Sequence, residues 1–428
     1  VRIIFYQEKL VDKGLYFCKL NITNSICKKI MLKRTLEKKL KESAKHYPVV
    51  TLTGPRQSGK TTLVKMAFPG YDYISLEEPD HRAFAREDPR GFLSQFTKRA
   101  ILDEIQRAPD LFSYIQTIVD TKDISGQFIL TGSQNFLLLQ KVSQSLAGRC
   151  AVLHLLPFSL SELKERKPLA VDSIGRKLPG KNRTLDDRLP PVLFKGFYPR
   201  IHDKHLDPND WLGNYLQTYI ERDVRDIVNV GDLETFSRFV RLCAGRNGQL
   251  LNLSSLANDC GITHTTSKRW ISILEASFVV FLLRPHYKNF SKRLIKSPKL
   301  YFLDTGLLSY LLRIRSAEDI RIHAQYGSIF ESFVISEFLK NYLNEGQESA
   351  LYFWRDSSGN EIDVIIDQGG QLIPVEIKAG QTIASDFFKG IRFWKKLVKD
   401  DGHRAALVYG GERSYIRSDT FIYSWSAF

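Results

Sequence analysis

The stretch Val49-Val-Thr-Leu-Thr-Gly54-Pro-Arg-Gln-Ser-Gly59-Lys60-Thr61-Thr62 sets a β-rich apolar run directly in front of G-x-x-x-x-G-K-T. Such a stretch demands a strand, a glycine turn and a helix in immediate succession, because that arrangement turns backbone N–H groups inward around phosphate oxygens. Gly54, Pro55, Arg56, Gln57, Ser58 and Gly59 are then the cradle, and Thr62 follows into the helix. Lys60 reaches the terminal phosphates, and the Thr61 hydroxyl is a Mg²⁺ ligand. The dipole and unpaired N–H groups of the helix opening at Thr61 add to the hold on the anion. A glycine turn that merely ends a strand is the plainer alternative, and the strand-before, helix-after context weighs against it.

Ala100-Ile-Leu-Asp103-Glu104 supplies what the first motif lacks, an apolar run ending in two acids. On a strand beside the loop, Asp103 would hold the Mg²⁺ shell and Glu104 would polarise a water attacking the last phosphate. Phe128-Ile-Leu-Thr-Gly-Ser133-Gln-Asn135 reads as another buried strand ending in small polar residues, with Ser133 or Asn135 able to sense that phosphate. Arg149, after Gly148, is a candidate to neutralise charge developing in phosphoryl transfer, against the plain reading of a surface arginine.

These linked stretches resemble the prokaryotic AAA+ ATPases that carry a C-terminal domain of unknown function numbered 4143. The resemblance rests on Leu52 to Thr62, Leu102-Asp-Glu-Ile-Gln-Arg-Ala-Pro109, Leu130 to Asn135 and Leu146-Ala-Gly-Arg149, and covers Met31 onward. It implies ATP binding with hydrolysis, an AAA+ core and a C-terminal half whose task is poorly defined. Residues 1–30 fall outside it. They carry no secretory cleavage pattern, and Met31 opens an amphipathic run, so they read as an upstream extension without a role.

A chain of 428 residues is too long for one core, and no apolar stretch is long enough to span a membrane. Five cysteines without C-x-x-C spacing argue against zinc or disulfides and fit reduced thiols in a cytoplasmic protein. A net charge of +15 favours a polyanionic partner. The first fifty residues hold twelve Lys/Arg against four Asp/Glu, and 284–299 hold six basic residues and no acid.

From Lys164 to Pro191 hydrophobic periodicity is lost, which reads as a linker or mobile insertion. It returns at Trp211 to Val228, where Arg222 or Arg225 could point toward the nucleotide or pair along the helix. Leu253 to Trp270 has the layout of a helix-turn-helix, with small Ala257 at the packing point and Gly261 at the turn. Thr265, Lys268 and Arg269 would project from its second helix, and Lys292 and Arg293 from a basic wing, as DNA contacts. Farther on, Asp363 heads a strand and Glu376 and Lys378 share one face of the next, so a hairpin would bring the three together. With Glu331 as a helix acid this resembles the PD-(D/E)XK nuclease core, although the first element lacks its proline.

The expected architecture is α/β. It comprises a P-loop AAA+ parallel-sheet domain over 31–165, a linker over 166–210, a helical and winged-helix domain over 211–303, and a nuclease-like α/β module over 304–428. The expected function is ATP hydrolysis with Mg²⁺, coupled to DNA contact by the C-terminal half. An ATP-gated metal-dependent nuclease, and a nucleotide-dependent protein-interaction switch without DNA, stand as alternatives. A protein partner and a homo-oligomer stay open; a membrane is not expected.

Overall fold

In the N-terminal third, helix α1 (Glu37–His46) leads into strand β1 (Val49–Thr53), and α2 (Lys60–Ala67) follows the glycine loop. Next come β2 (Asp72–Ser75), α3 (Pro79–Glu87), α4 (Pro89–Ser94) and β3 (Ala100–Asp103). The layer closes with α5 (Leu111–Lys122), β4 (Phe128–Gly132), β5 (Cys150–His154) and short α6 (Leu160–Leu163). The five strands are all parallel, in the order β2-β3-β4-β1-β5. Strand alternation explains the two-sided burial. Val50, Leu52, Ile101 and Ile129 pack against Leu36 and Leu40 of the α1 region and Leu63 and Val64 of α2. Their neighbours Val49, Leu102, Phe128 and Leu130 face Phe92, Leu111, Phe112 and Ile115 on the other side. Each such side chain, once buried, contributes about 1.5–3 kcal/mol.

The computed structural model describes residues 32–96, 98–122, 124–133, 145–180, 188–219, 233–286, 296–399 and 404–428. The 1–30 extension, Arg222, Arg225, Asn135, Lys292 and Arg293 lie outside them. Lys33–Phe428 form one compact unit. Among the described residues no helix is long and apolar enough to cross a membrane.

The expected linker is corrected by the structure. Val171 and Ile174 are buried, and the Gly175 N–H donates to the Tyr423 hydroxyl at 2.9 Å. Helices α7 (Leu189–Lys195), α8 (Pro199–Lys204) and α9 (Pro208–Tyr219) then follow one another closely. Leu189 and Leu193 of α7, Phe197 between the helices and Ile201 of α8 are all buried, although prolines and basic residues surround them in the sequence.

The middle of the chain holds α10 (Leu233–Gly245), α11 (Leu253–Cys260) and α12 (His264–Ala276), then β6 (Val280–Pro285) and β7 (Lys299–Phe302). Asn252 and Thr263 cap α11 and α12, and Gly261 makes the turn between them at φ 68°. Phe236 and Phe239 of α10 meet the Trp270 ring edge-on. Strands β6 and β7 pair antiparallel, as a wing would, yet β6 also pairs in parallel with β8 (Leu351–Arg355). The hairpin therefore forms one edge of the C-terminal sheet, across the boundary expected at 303/304. That sheet runs through β9 (Glu361–Asp367), β10 (Leu372–Lys378), β11 (Ala405–Tyr409), β12 (Tyr415–Arg417) and β13 (Thr420–Ser424). Its order is β12-β13-β11-β10-β9-β8-β6-β7. Helices α13 (Thr305–Leu311), α14 (Ala317–Ile322), long α15 (Tyr326–Asn344) and α16 (Lys389–Val398) complete the chain.

Candidate nucleotide site and C-terminal charge cluster

The glycine loop follows β1 for a steric reason. A Cβ on Gly54 would lie 2.1 Å from the Leu155 carbonyl oxygen, so only glycine lets the chain pass the end of β5. Gly59 closes the loop at φ 94° as the residue before α2, and Gln57 at φ 62° makes the bend between them. Lys60 opens α2 and is buried, its ammonium donating to the Gly54 and Pro55 carbonyls at 2.9 Å each. Ser58 is buried, Arg56 is half-buried, and Gln57 and Thr62 are exposed.

Thr61 and the two acids meet at the same edge of the sheet. Strand β3 is not the immediate neighbour of β1, since β4 lies between them. Asp103 nevertheless reaches across, accepting from the Thr61 hydroxyl at 2.9 Å and from Tyr73 at 2.8 Å, and Thr131 of β4 donates to its other oxygen. Burial, and then the Asp103 carboxylate, drive the Tyr73 phenol well above its ordinary range. Glu104 stands at φ 56°, a costly conformation for a non-glycine residue. Its carboxylate accepts from Gln106 and, at 3.3 Å, from Ser133. Adjacent Thr61 and Asp103 offer the hard oxygen donors that Mg²⁺ takes alongside phosphate and water. Tyr73 and Thr131 carried no motif of their own in the sequence. Only the pairing of β2 and β4 on either side of β3 makes them partners of Asp103.

Arg149 is elsewhere. It precedes β5, whose first residue is level with Val49 at the start of β1, whereas the loop leaves the far end of β1. There it forms an exposed ion pair with Asp120 and donates to the Ala147 carbonyl. The expectation of a charge-neutralising role at this chain's own nucleotide is therefore corrected, because parallel pairing puts the residue before a strand at the end opposite the loops that follow the strands.

Two half-buried histidines give the fold a pH dependence. His154, at the end of β5, lies 2.7 Å from the Thr53 hydroxyl through Nδ1, and His202 lies 2.8 Å from the Gly196 carbonyl through Nε2. Burial, foremost in both, pushes each imidazole down to about 4. Both are neutral in the folded protein near pH 7, while the unfolded chain takes up protons from pH 6.5 downward. Their stabilisation is full above pH 6.5 and is lost as pH falls toward about 4, on the order of 3 kcal/mol for each. Urea unfolding at a series of pH values checks this. A His154→Gln/His202→Gln variant should show a flatter slope between pH 6.5 and 4.

In the C-terminal module Asp363 of β9 and Glu376 and Lys378 of β10 come together with Glu331 of α15. The Lys378 ammonium lies 2.9 Å from Asp363 and 2.7 Å from Glu376. Asp363 also accepts from the Ile377 N–H at 2.8 Å, and Glu331 accepts from the Tyr301 hydroxyl at 3.0 Å. Burial opposes charge on Asp363, yet Lys378 and Lys299 outweigh it and hold that carboxyl below its usual range. Burial, then Asp363, raises Glu331 to about 7 and Glu376 to about 9. Burial opposes the charge on Lys378, but the two carboxylates outweigh it and hold the ammonium protonated. The two carboxyls and the ammonium therefore titrate as one coupled group, with Asp363 the member held most acidic.

Three members of this cluster were not singled out in the sequence. Lys299 and Tyr301 alternate along β7, while Glu361 pairs with both Lys299 and, at 3.1 Å, Arg355. Lys299 is buried and so is no part of a DNA-facing basic surface. Gly390 was also passed over. A Cβ there would lie 2.0 Å from Glu376 Oε1, so this glycine lets α16 settle directly on the cluster. Among the described residues no group of three or more His, Cys, Asp or Glu is arranged to hold a metal ion. In the C-terminal cluster the Lys378 ammonium engages both Asp363 and Glu376, at 2.9 and 2.7 Å. Thr265, Lys268 and Arg269 are exposed on α12.

A parallel sheet with G-x-x-x-x-G-K-T after its β1 strand and an acid pair at the end of β3 defines a domain of the P-loop ATPase class. Comparison with known proteins agrees. Residues 46–164 match a family model described as an AAA domain, 186–318 match a domain of unknown function (DUF8612), and 326–428 match another (DUF4143). Uncharacterized protein Rv2008c of Mycobacterium tuberculosis and uncharacterized protein Mb2031c of Mycobacterium bovis are each 30% identical to the chain over 391 residues, 91% of it and 82% of them. The chain belongs to this family of AAA-domain ATP-binding proteins with a C-terminal DUF4143. Among solved structures it is similar to a Walker-type ATPase of Pyrococcus abyssi, at 14% identity over 66% of this chain and 96% of that one, with a TM-score of 0.43. It is also similar to the RuvB Holliday junction branch migration motor of Thermotoga maritima, at 18% identity over 58% and 88%, with a TM-score of 0.28.

Proposed function

We propose that the protein binds ATP with Mg²⁺ at the Gly54–Thr61 loop, hydrolyses it, and couples this to contact with DNA through its C-terminal half. The observation that carries the reading is the convergence of Lys60, Thr61, Asp103 and Glu104 at one sheet edge. Lys60 neutralises terminal phosphate charge, and Thr61 with Asp103 would hold Mg²⁺, which supplies further charge stabilisation when bound. Glu104, steadied by Gln106 and Ser133, takes the proton of the attacking water. DNA contact is supported by the capped α11–α12 pair with Thr265, Lys268 and Arg269 exposed on its second helix. Cleavage has less support, because Asp363 and Glu376 are both engaged by the Lys378 ammonium, and no metal-dependent step follows there.

The test is labelled duplex DNA incubated with the protein, with and without ATP and Mg²⁺, and scored for both retardation and nicking across a salt series. Retardation without nicking is expected, with affinity falling as salt rises because bound cations leave the phosphates. A Lys268→Glu/Arg269→Glu variant should bind all sequences more weakly and with a shallower salt dependence. An unchanged slope would remove α12 as the contact. No retardation at any salt would leave the protein-interaction switch, and nicking lost in Asp363→Ala would restore the nuclease.

A further inference from the structure

A phosphate loop works only if its peptide planes are turned so that N–H groups face the anion. In a trans peptide the C=O and N–H point in opposite directions, so whatever grips the carbonyl from outside aims the amide inward. For the peptide joining Ser58 to Gly59, that grip comes from Arg34, twenty-four residues upstream. One terminal nitrogen of its guanidinium donates to the Ser58 carbonyl at 2.7 Å, and the other donates to the Leu156 carbonyl at 2.6 Å. The same group lies 4.8 Å above the centre of the Phe158 ring, and its Nε is 3.3 Å from Glu162 Oε1. Glu162 is fixed in turn by the N–H groups of Thr35 at 2.7 Å and Ser159 at 3.0 Å. The Arg34 side chain is 8% exposed, so the arrangement is sealed from water.

We infer that Arg34 is a positioning residue for the phosphate loop, holding the Ser58–Gly59 peptide with the Gly59 amide turned toward the bound phosphates, and that Glu162 holds Arg34. The geometry needs a planar fork: two carbonyls in different segments, a ring face and a carboxylate are met by one guanidinium, which a lysine cannot do. Gly59 itself cannot supply the restraint. At φ 94°, a Cβ there would find only an Arg34 nitrogen within 4 Å, at 3.7 Å. What the loop receives rests on the ATP reading; how the loop is held does not.

The test separates the two. Hydrogen–deuterium exchange of the free protein should show the amides of residues 54–62 in Arg34→Lys exchanging about tenfold faster or more, with those of 49–53 unchanged. Binding of a non-hydrolysable ATP analogue should weaken about tenfold in Arg34→Lys and up to about a hundredfold in Arg34→Ala. KM for ATP should rise by the same factor, with kcat changed only a few-fold, and Glu162→Gln should move all three in the same direction by less. Unchanged loop exchange, or a uniform rise over the whole chain that tracks a fallen melting temperature, overturns the proposal. If the wild type binds no ATP while Arg34→Lys frees the loop alone, the positioning role stands and the nucleotide reading fails.

Discussion

In Lys60→Ala, ATP binding is expected to fall by about a hundredfold or more, whereas Glu104→Gln should bind ATP normally and turn it over about 10²–10⁴-fold more slowly. The two residues do different work. The Lys60 ammonium, buried at the head of α2 and donating to the Gly54 and Pro55 carbonyls, would on the proposed function answer the terminal phosphates in the ground state. On that function Glu104 would act only on the attacking water, and its amide replacement keeps the shape and the Gln106 neighbour while losing the basic oxygen. Titration with a fluorescent ATP analogue and a phosphate-release assay separate the two losses. Equal turnover in wild type and Glu104→Gln would remove Glu104 as the base. Equal binding in wild type and Lys60→Ala would remove the loop as the nucleotide site.

Glu337→Ala is expected to cost about 3–5 kcal/mol of folding stability, the largest effect foreseen for a residue remote from the nucleotide. Glu337 and Lys340 of α15 form an ion pair at 2.8 Å with side chains only 3% and 2% exposed. The same carboxylate accepts from the Leu160 N–H at 2.9 Å, which ties α15 to the start of α6, and the Lys340 ammonium lies 4.0 Å from the Phe197 ring centre. Truncation leaves an ammonium buried without its ion-pair partner and a backbone N–H without an acceptor. Denaturant unfolding of the full chain measures the loss. A Glu337→Leu/Lys340→Met double variant should recover most of it, because replacing both charges removes the desolvation penalty that breaking one leaves behind. A double variant as unstable as the single one would show that the carboxylate acts chiefly through Leu160.

The nucleotide loop and its acids were legible in the chain because their chemistry is local. G-x-x-x-x-G-K-T must follow a strand and precede a helix, and Asp103-Glu104 must end an apolar run, so residue order alone points to them. The turn of the helix pair was likewise carried by Gly261 and by small Ala257 at the packing point. The C-terminal hairpin could also be read, since alternation puts Glu376 and Lys378 on one face and a tight return brings Asp363 beside them.

Partnerships between distant segments were decided only by the tertiary structure. Arg34 serves the loop from before α1, and Tyr73 and Thr131 join Asp103 from two other strands. Lys299 and Tyr301 enter the carboxylate cluster because β6 joins β8 and carries β7 into the C-terminal sheet. Arg149 lies away from this chain's own phosphate loop, in a surface ion pair, because the end of the sheet on which a residue falls depends on strand direction. Sequence spacing fixes which side chains share a strand or helix face, since the backbone period is set by covalent geometry. Which faces then meet depends on strand order and on the burial of whole layers, and no single stretch of the chain encodes it.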